Sequence, residues 1–423
     1  MPFILVGLFG LFWLYYGYFF VDTIRNPSVT TVLGFSAFYL FFFLFFTIAY
    51  VLTVGRSSKT VGFSINKILN IERRLLWVYL LISPFVFFFF IQGLQYMALN
   101  GVEGYRDLTY GSRESPSVIF KNLQLELVYR LFVSPILFIG AFIGIAIFYM
   151  TGRYRLILLV VVLGLFDSVM MLGRFYFYHL VFLFMAGFFL KSTLKKIGFS
   201  TDGINGDRFK KKTGFPAVIV SLVLLVLISI SLIRAGEGKG IPDLLDRYVF
   251  EYHTVGFTLF DDALGDQDSP INNNIMYGGA SFSGLIRYPL VITKQFLNDI
   301  DRGMAVHSAY RSTFTDVGAE EGRRMYNSYY TILYTFYLDG RWFGVVFGAV
   351  LLGILSGVAY KKFTRVGDLK GMVACLLLLY VMYFSIFSSP IESEKFFGGI
   401  IFFLLVYHFR WSPPSKNKIL RSC

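Results

Sequence analysis

Apolar residues in this chain are gathered into blocks of the length that carries an α-helix across a bilayer, roughly 20 residues. The first, FILVGLFGLFWLYYGYFF, runs from Phe3 to Phe20 and is followed within ten residues by a second of the same kind. Blocks at 3–20, 29–54, 75–99, 127–150, 155–172, 175–190, 215–233, 341–360, 370–388 and 396–409 predict ten spans. Only 15% of the 423 residues are charged, too few for a soluble domain of this size. Strand-sized alternation, the mark of a membrane barrel, is absent. The expected fold class is an all-α polytopic membrane protein of about ten transmembrane helices, a single integral membrane domain over 1–423. Extra re-entrant or interfacial helices are allowed for.

The stretch 155–190 decides the count. As one helix, at about 1.5 Å per residue, it would overreach a single crossing. Splitting it at Leu172-Gly173-Arg174 puts every strongly basic segment (55–74, 151–155, 191–214, 361–370 and the tail 410–423) on one face. That is the cytoplasmic face by the positive-inside rule. The net charge of +13 is therefore concentrated at one membrane surface, which argues against nucleic acid as a partner and for the lipid bilayer. Both termini are expected in the cytoplasm. The N-terminal block lacks a basic leader and a cleavage site and reads as the first span.

The remaining long segment, 234–327, falls on the outer face, and with the aromatic stretch that closes it the outer-face region extends over 234–340. Such length is usually functional or disordered. Its aromatic and aliphatic patches favour folding onto the bundle, with short helices at 241–264 and 283–299. No internal repeat of the transporter kind is visible.

Several residues could carry chemistry. Arg174, in MLGRFYF, sits at the outer boundary against the charge bias, as a snorkelling hairpin arginine or an anion contact. Asp167, Tyr178 and His179 lie within two turns of it and could line one polar cleft; His179 also fits a packed core histidine. Arg287 in FSGLIRYP, Arg311 in HSAYRS and Arg323-Arg324 are guanidinium groups suited to phosphate, or ordinary surface charge. His253 and His307 are bases or structural loop residues. The acidic run DDALGDQDSPINNN, 261–274, lacks calcium-loop spacing and reads as a solvated turn region. There is no HExxH, no closed Cys/His zinc set, no CxxC among the two cysteines and no nucleotide fingerprint. No metal or cofactor is expected.

The segment YNSYYTILYTFYLDGRWFG, 326–344, opens polar, turns aromatic and places Asp339 and Arg341 before an apolar block. Asp339 is expected near a helix start, where an acid is favoured by the helix end alone. The aromatic part, 329–338, is too short to cross and reads as an interfacial or re-entrant helix.

With the Gly-rich block that ends at Lys361-Lys362, this segment resembles the oligosaccharide repeat unit polymerase family, the Wzy-type O-antigen and capsule polymerases. The matching residues are Asn327, Thr331, Tyr334 to Tyr337, Asp339, Gly344 and Lys361-Lys362. The resemblance implies a bacterial cytoplasmic-membrane enzyme of C-type or related glycosyltransferase fold. It would move a growing glycan from undecaprenyl pyrophosphate to the non-reducing end of a new lipid-linked unit, inverting and without metal. A chain-length regulator and a flippase would be its partners. For that chemistry Arg174, Arg287 and Arg311 are the pyrophosphate candidates. The base lies among Asp167, His307, Glu320 and Asp339, and Asn327, Tyr329, Thr331 and Tyr334 are glycan contacts or part of an interfacial aromatic belt. A glycan ligase of similar topology, a polysaccharide-lipid flippase or transporter, and a structural envelope protein are the alternatives.

Overall fold

The computed structural model describes residues 1–53, 65–110, 119–120, 122–171, 173, 175–196, 221, 246–292, 306–319, 324–327 and 330–408. Helix α1 (Pro2–Phe20) leads to α2 (Val29–Leu52) and α3 (Ile65–Tyr110), which breaks at Gly101. Helix α4 (Leu123–Val128) passes through a π-turn, Tyr129–Val133, into α5 (Ser134–Thr151), followed by α6 (Arg155–Met170) and α7 (Phe175–Lys196). After a second π-turn, Asp246–Glu251, come α8 (Tyr252–Gly265), α9 (Pro270–Asn273) and α10 (Ser283–Ile292). A helical segment at 306–312 precedes a two-stranded antiparallel ribbon, β1 (Thr315–Asp316) against β2 (Met325–Tyr326), with Thr315 opposite Tyr326. Helix α11 (Ile332–Val366), α12 (Leu369–Phe384), a 3₁₀ turn at Pro390–Glu392 and α13 (Glu394–His408) follow.

This is a polytopic all-α membrane protein. Among the described residues six helical stretches are long and apolar enough to cross a bilayer: α1, α2, Ile65–Gly101 of α3, the continuous Leu123–Thr151, Tyr176–Leu194 of α7, and α11. Helices α6, α12 and α13 are apolar but only 15 or 16 residues long. The expected span at 215–233 lies outside the described residues.

Helix α5 is the hub. Every residue from Ser134 to Thr151 except the partly buried Ile136 is buried, as its all-round apolar sequence demands. Lipid-facing positions of the outer helices carry bare apolar side chains such as Phe12, Phe20, Leu33 and Leu81. Helix α6 ends at Met170, α7 begins at Phe175, and the Tyr176 hydroxyl donates back to the Val160 carbonyl at 2.9 Å. The tightest helix pair is α2 with α11. A Cβ at Gly353 or Gly357 would meet the Phe42 or Phe46 carbonyl within 2.7 Å, so these small residues let the two backbones touch.

One group of basic side chains collects at one end. Lys67 lies over the Tyr407 ring, Arg153 pairs with Glu72 at 2.7 Å, and Lys361 lies over the Tyr50 ring. The loop elements α8 to α10 and β1–β2 cover the opposite end.

Helix α11 is two pieces. Gly340 and Arg341 leave helical geometry, Arg341 with φ of 56°. In a straight helix residues 336 and 344 would lie about 12 Å apart. Here a Cβ at Gly344 would fall on the Phe336 carbonyl, and one at Gly348 on the Phe336 ring. The segment 332–339 therefore folds back against the first turns of the span, a buried re-entrant helix, in keeping with its aromatic sequence. Asp339 stands at the break, just ahead of the point where the span's helix resumes, but its carboxylate accepts the Ala280 and Ser281 amides of the 272–281 turn at 2.8 and 2.9 Å instead of an amide of that helix. The Leu338 carbonyl takes the Met276 amide, and Arg341 donates to the Asn272 carbonyl at 2.6 Å.

Candidate functional site

Opposite the basic end, the described loop segments bring a row of charges together. Segment 306–312 places His307 and Arg311 one helical turn apart, on one face. Both address Tyr334 of the re-entrant helix: His307 Nδ1 is 3.1 Å from the tyrosine hydroxyl, and the Arg311 guanidinium sits over its ring at 5.4 Å. Arg311 also donates to Glu392 at 2.7 Å, and the Thr335 hydroxyl donates to the other oxygen of that carboxylate. Two residues on, Glu394 receives Arg287 at 2.6 Å and Arg130 at 3.1 Å. The Tyr288 hydroxyl bridges the Leu131 and Glu394 carbonyls.

The local sequence explains how the carboxylates are held. In SSPIESEK, Pro390 starts a 3₁₀ turn closed by the Glu392 amide on the Ser389 carbonyl. The turn aims Glu392 at Arg311 and leaves Glu394 at the first position of α13, where an acid is favoured. Glu126 also approaches Arg130 at 3.7 Å, so three guanidiniums, Arg130, Arg287 and Arg311, face three carboxylates, and Lys395 follows Glu394 in the chain. The ion pairs pre-orient guanidinium forks whose remaining donors suit phosphate oxygens.

His307 is fully buried, and among the described residues its Nε2 has no hydrogen-bond partner. Burial, and secondarily the neighbouring Arg311 charge, pull its pKa down to about 4. The ring is neutral at pH 7. In the tautomer that donates Nδ1–H to Tyr334, Nε2 carries the free lone pair a general base requires. The Thr331 hydroxyl, also buried and without a partner, lies just before the re-entrant helix. Tyr330 and Tyr310 continue the aromatic wall, their ring centroids 5.0 Å from Tyr334 and 6.2 Å from Tyr330 respectively. Asn327 fastens the end of segment 306–312 through the Ser312 carbonyl at 2.9 Å.

An apolar groove of about 1490 Å³ runs between α11, α12 and α13. Its wall includes Phe343 and Phe347, 88% and 67% exposed, with Leu377, Ile400 and Leu404. One end reaches Lys362 and Lys370; the other opens at Ser281, Asp339 and Ile391. Ile391 precedes Glu392, so the groove ends beside the charged row.

Of the residues singled out from sequence, the structure gathers His307, Arg311, Thr331, Tyr334 and Asn327 around one segment, and Arg287 along the same row. Asp167 and Asp339 stand elsewhere. Asp167 accepts the Tyr129 hydroxyl at 2.5 Å, and Asp339 holds the 280–281 turn. His179 meets the Tyr380 hydroxyl at 2.9 Å among Phe138 and Phe384, a packed core histidine, so Asp167 and His179 take separate partners instead of sharing one cleft. Arg174, Glu320 and Tyr329 lie outside the described residues. His253 is stacked on Trp13 at 4.3 Å and is structural.

The acidic run 261–274 is a built clamp. Asp261 accepts the Ser28 amide and the Thr31 hydroxyl, Asp262 pairs with Arg25 at 2.9 Å, and the Asn272 amide serves three carbonyls. No group of acids, histidines and cysteines able to hold a metal occurs among the described residues.

Sequence reasoning passed over Glu392, Glu394 and Arg130. It also passed over Glu251, fully buried and bonded to the Tyr326 hydroxyl. The signal available was two acids flanking one serine at the head of an apolar block. Comparison of the chain with protein-family models, with curated proteins and with solved structures returned no match.

Proposed function

We propose that this chain is a membrane glycosyltransferase that polymerises undecaprenyl-pyrophosphate-linked oligosaccharide units. The single observation that carries the reading is the junction of the apolar groove with the arginine–glutamate row. A polyprenyl chain fits the groove's chemistry, and a pyrophosphate at the rim fits the guanidiniums. The resemblance of 326–344 to the polymerases supports the choice of substrate. In this reading the basic end faces the cytoplasm and the charged row lies on the outer face of a bacterial inner membrane. A ten-span, C-type or related architecture belongs to the same proposal.

The chemistry follows from the groups present. An acceptor hydroxyl attacks the donor anomeric carbon. The bond from that carbon to the phosphate oxygen breaks, and its electron pair leaves with the lipid pyrophosphate. Arg287 and Arg311 stabilise the charge developing there, which fixed guanidiniums do without reorganising. His307 Nε2 receives the acceptor's proton. Tyr330 and Tyr334 are buried, with Arg311 over the Tyr334 ring, so they position His307 and Arg311 and do not stack on sugars.

The test is genetic and biochemical. Removal of the gene should leave surface lipid carrying one repeat unit and no ladder. A ladder that forms but stays unattached would identify a ligase, and loss of export a flippase. With purified lipid-linked units, Arg311→Ala should reduce polymer formation by at least about 100-fold, the scale of losing one strong transition-state donor. Normal polymer from a correctly inserted Arg311→Ala protein would remove the arginine row from the mechanism.

A further inference from the structure

The basic end holds a second pocket that the polymerase reading does not use. It is a cavity of about 540 Å³ where the start of α1, the ends of α2 and α7 and the end of α11 meet. Lys361 and Arg365 line it from one face of α11, one turn apart, with Thr364 between them. Ser192 and Thr193 line it from α7, and the Thr193 hydroxyl is 3.3 Å from that of Tyr360. No acidic side chain lines it, and the nearest acid in sequence, Asp368, is engaged in capping α12 through the Gly371 amide. Below the polar rim the wall is apolar: Leu5 and Phe189 are both exposed on the bundle surface.

A helix C-terminus by itself favours one or two cations. It does not account for hydroxyls converging from a second helix, or for a cavity continuous with an exposed apolar surface. Cations and hydroxyls above, with hydrocarbon surface below, match a phosphate ester whose acyl chains stay in the bilayer. We propose that this pocket binds the phosphate headgroup of an anionic phospholipid. The Lys361 ammonium and Arg365 guanidinium meet the phosphate oxygens, the Ser192 and Thr364 hydroxyls, which donate to the Phe189 and Lys361 carbonyls at 2.6 and 2.9 Å, rotate to donate to the phosphate, and the acyl chains lie along Leu5 and Phe189. The site would fasten α11, the helix that carries the re-entrant segment at its other end, to α7. It does not depend on the polymerase reading.

The full chain, in detergent, is titrated with dihexanoylphosphatidylglycerol and with dihexanoylphosphatidylcholine, and bound lipid is read by native mass spectrometry. The phosphatidylglycerol adduct should dominate. In Lys361→Gln/Arg365→Gln it should weaken by about 30-fold, the loss expected when two cations leave an anionic headgroup. In Arg73→Gln/Arg74→Gln, which removes two cations of the same end outside the pocket, it should persist. Equal loss in both variants would mean diffuse surface charge and overturn the pocket. Equal binding of the two lipids would overturn headgroup recognition. Displacement of the adduct by an equimolar amount of inorganic phosphate would show a free-phosphate site and overturn the lipid assignment. A thermal melt of each variant establishes that loss of the adduct is not loss of fold.

Discussion

The Arg311–Glu392 pair can be taken apart in a way that separates holding the fold from doing chemistry. The two groups meet at 2.7 Å with side chains only 19% and 13% exposed, and the same carboxylate accepts the Thr335 hydroxyl. In Arg311→Ala, Glu392 stays in its low-dielectric position with a single hydroxyl as partner. Removing one member of a buried pair costs about 3–5 kcal/mol; the partial exposure here places the expected loss near the lower figure, about 3 kcal/mol. The double variant Arg311→Met/Glu392→Met leaves no uncompensated charge and fills similar volume, so its stability should return to within about 1 kcal/mol of the parent. Thermal unfolding in detergent, followed by near-UV circular dichroism, measures both. Polymer formation from lipid-linked units should be lost in the single and the double variant alike, because both lack the guanidinium. If Arg311→Ala melts with the parent, or the double variant is as unstable as the single, the pair does not hold the loop. If the stable double variant still makes polymer, Arg311 has no part in the reaction.

Other expectations follow from the same geometry. His307 has a folded pKa of about 4 against an ordinary 6.5, so its contribution to stability is complete above 6.5 and is lost as pH falls through 4. The loss should approach about 3 kcal/mol and be absent in His307→Gln, as pH-dependent melts would show. Gly353→Leu places a branched side chain where even a Cβ lies 2.7 Å from the Phe42 carbonyl, and should lower stability by at least about 1–3 kcal/mol, with α2–α11 crosslinking yields falling in parallel. Asp339→Ala removes the acceptor of two amides and should cost about 2 kcal/mol in the melt. Asp339→Asn, which keeps one acceptor oxygen, should retain polymer formation; its complete loss in a stably folded protein would restore Asp339 as a candidate base.

Spans were legible where one block has the bilayer's own length, as at Phe3–Phe20, 29–54 and the block that became α11, whereas the blocks at 155–172, 370–388 and 396–409 form helices of only 15 or 16 residues. That 155–190 is two helices, one ending at Met170 and the next beginning at Phe175, was legible because a single helix of that length would overreach a crossing. The break inside α11 was only half legible. Aromatic residues 329–338 were too few to cross, but nothing local marks Arg341 as the residue that takes a left-handed φ. Glycine is the ordinary choice there, and the strain of about 1–2 kcal/mol is offset by bonds to Asn272 and the Tyr337 ring face. The glutamates escaped notice for a different reason. Glu392 and Glu394 acquire meaning from Arg311, Arg287 and Arg130, which are 81, 107 and 264 positions away in the chain. No periodicity within a window records such a partnership. Arg287 and Arg311 were found because a guanidinium beside apolar residues is conspicuous alone.

The order of those partners along the chain has a consequence for biogenesis. Synthesis delivers Glu126 with Arg130, then Arg287, then Arg311, and only afterwards Glu392 and Glu394, the carboxylates that meet all three guanidiniums. A nascent chain halted before Pro390 would already hold every helix through α12 and, with Glu392 and Glu394 still to be made, both Arg287 and Arg311. Arrival of the Pro390–Glu394 segment draws them into register, so assembly of the charged row reports that insertion has run to α13.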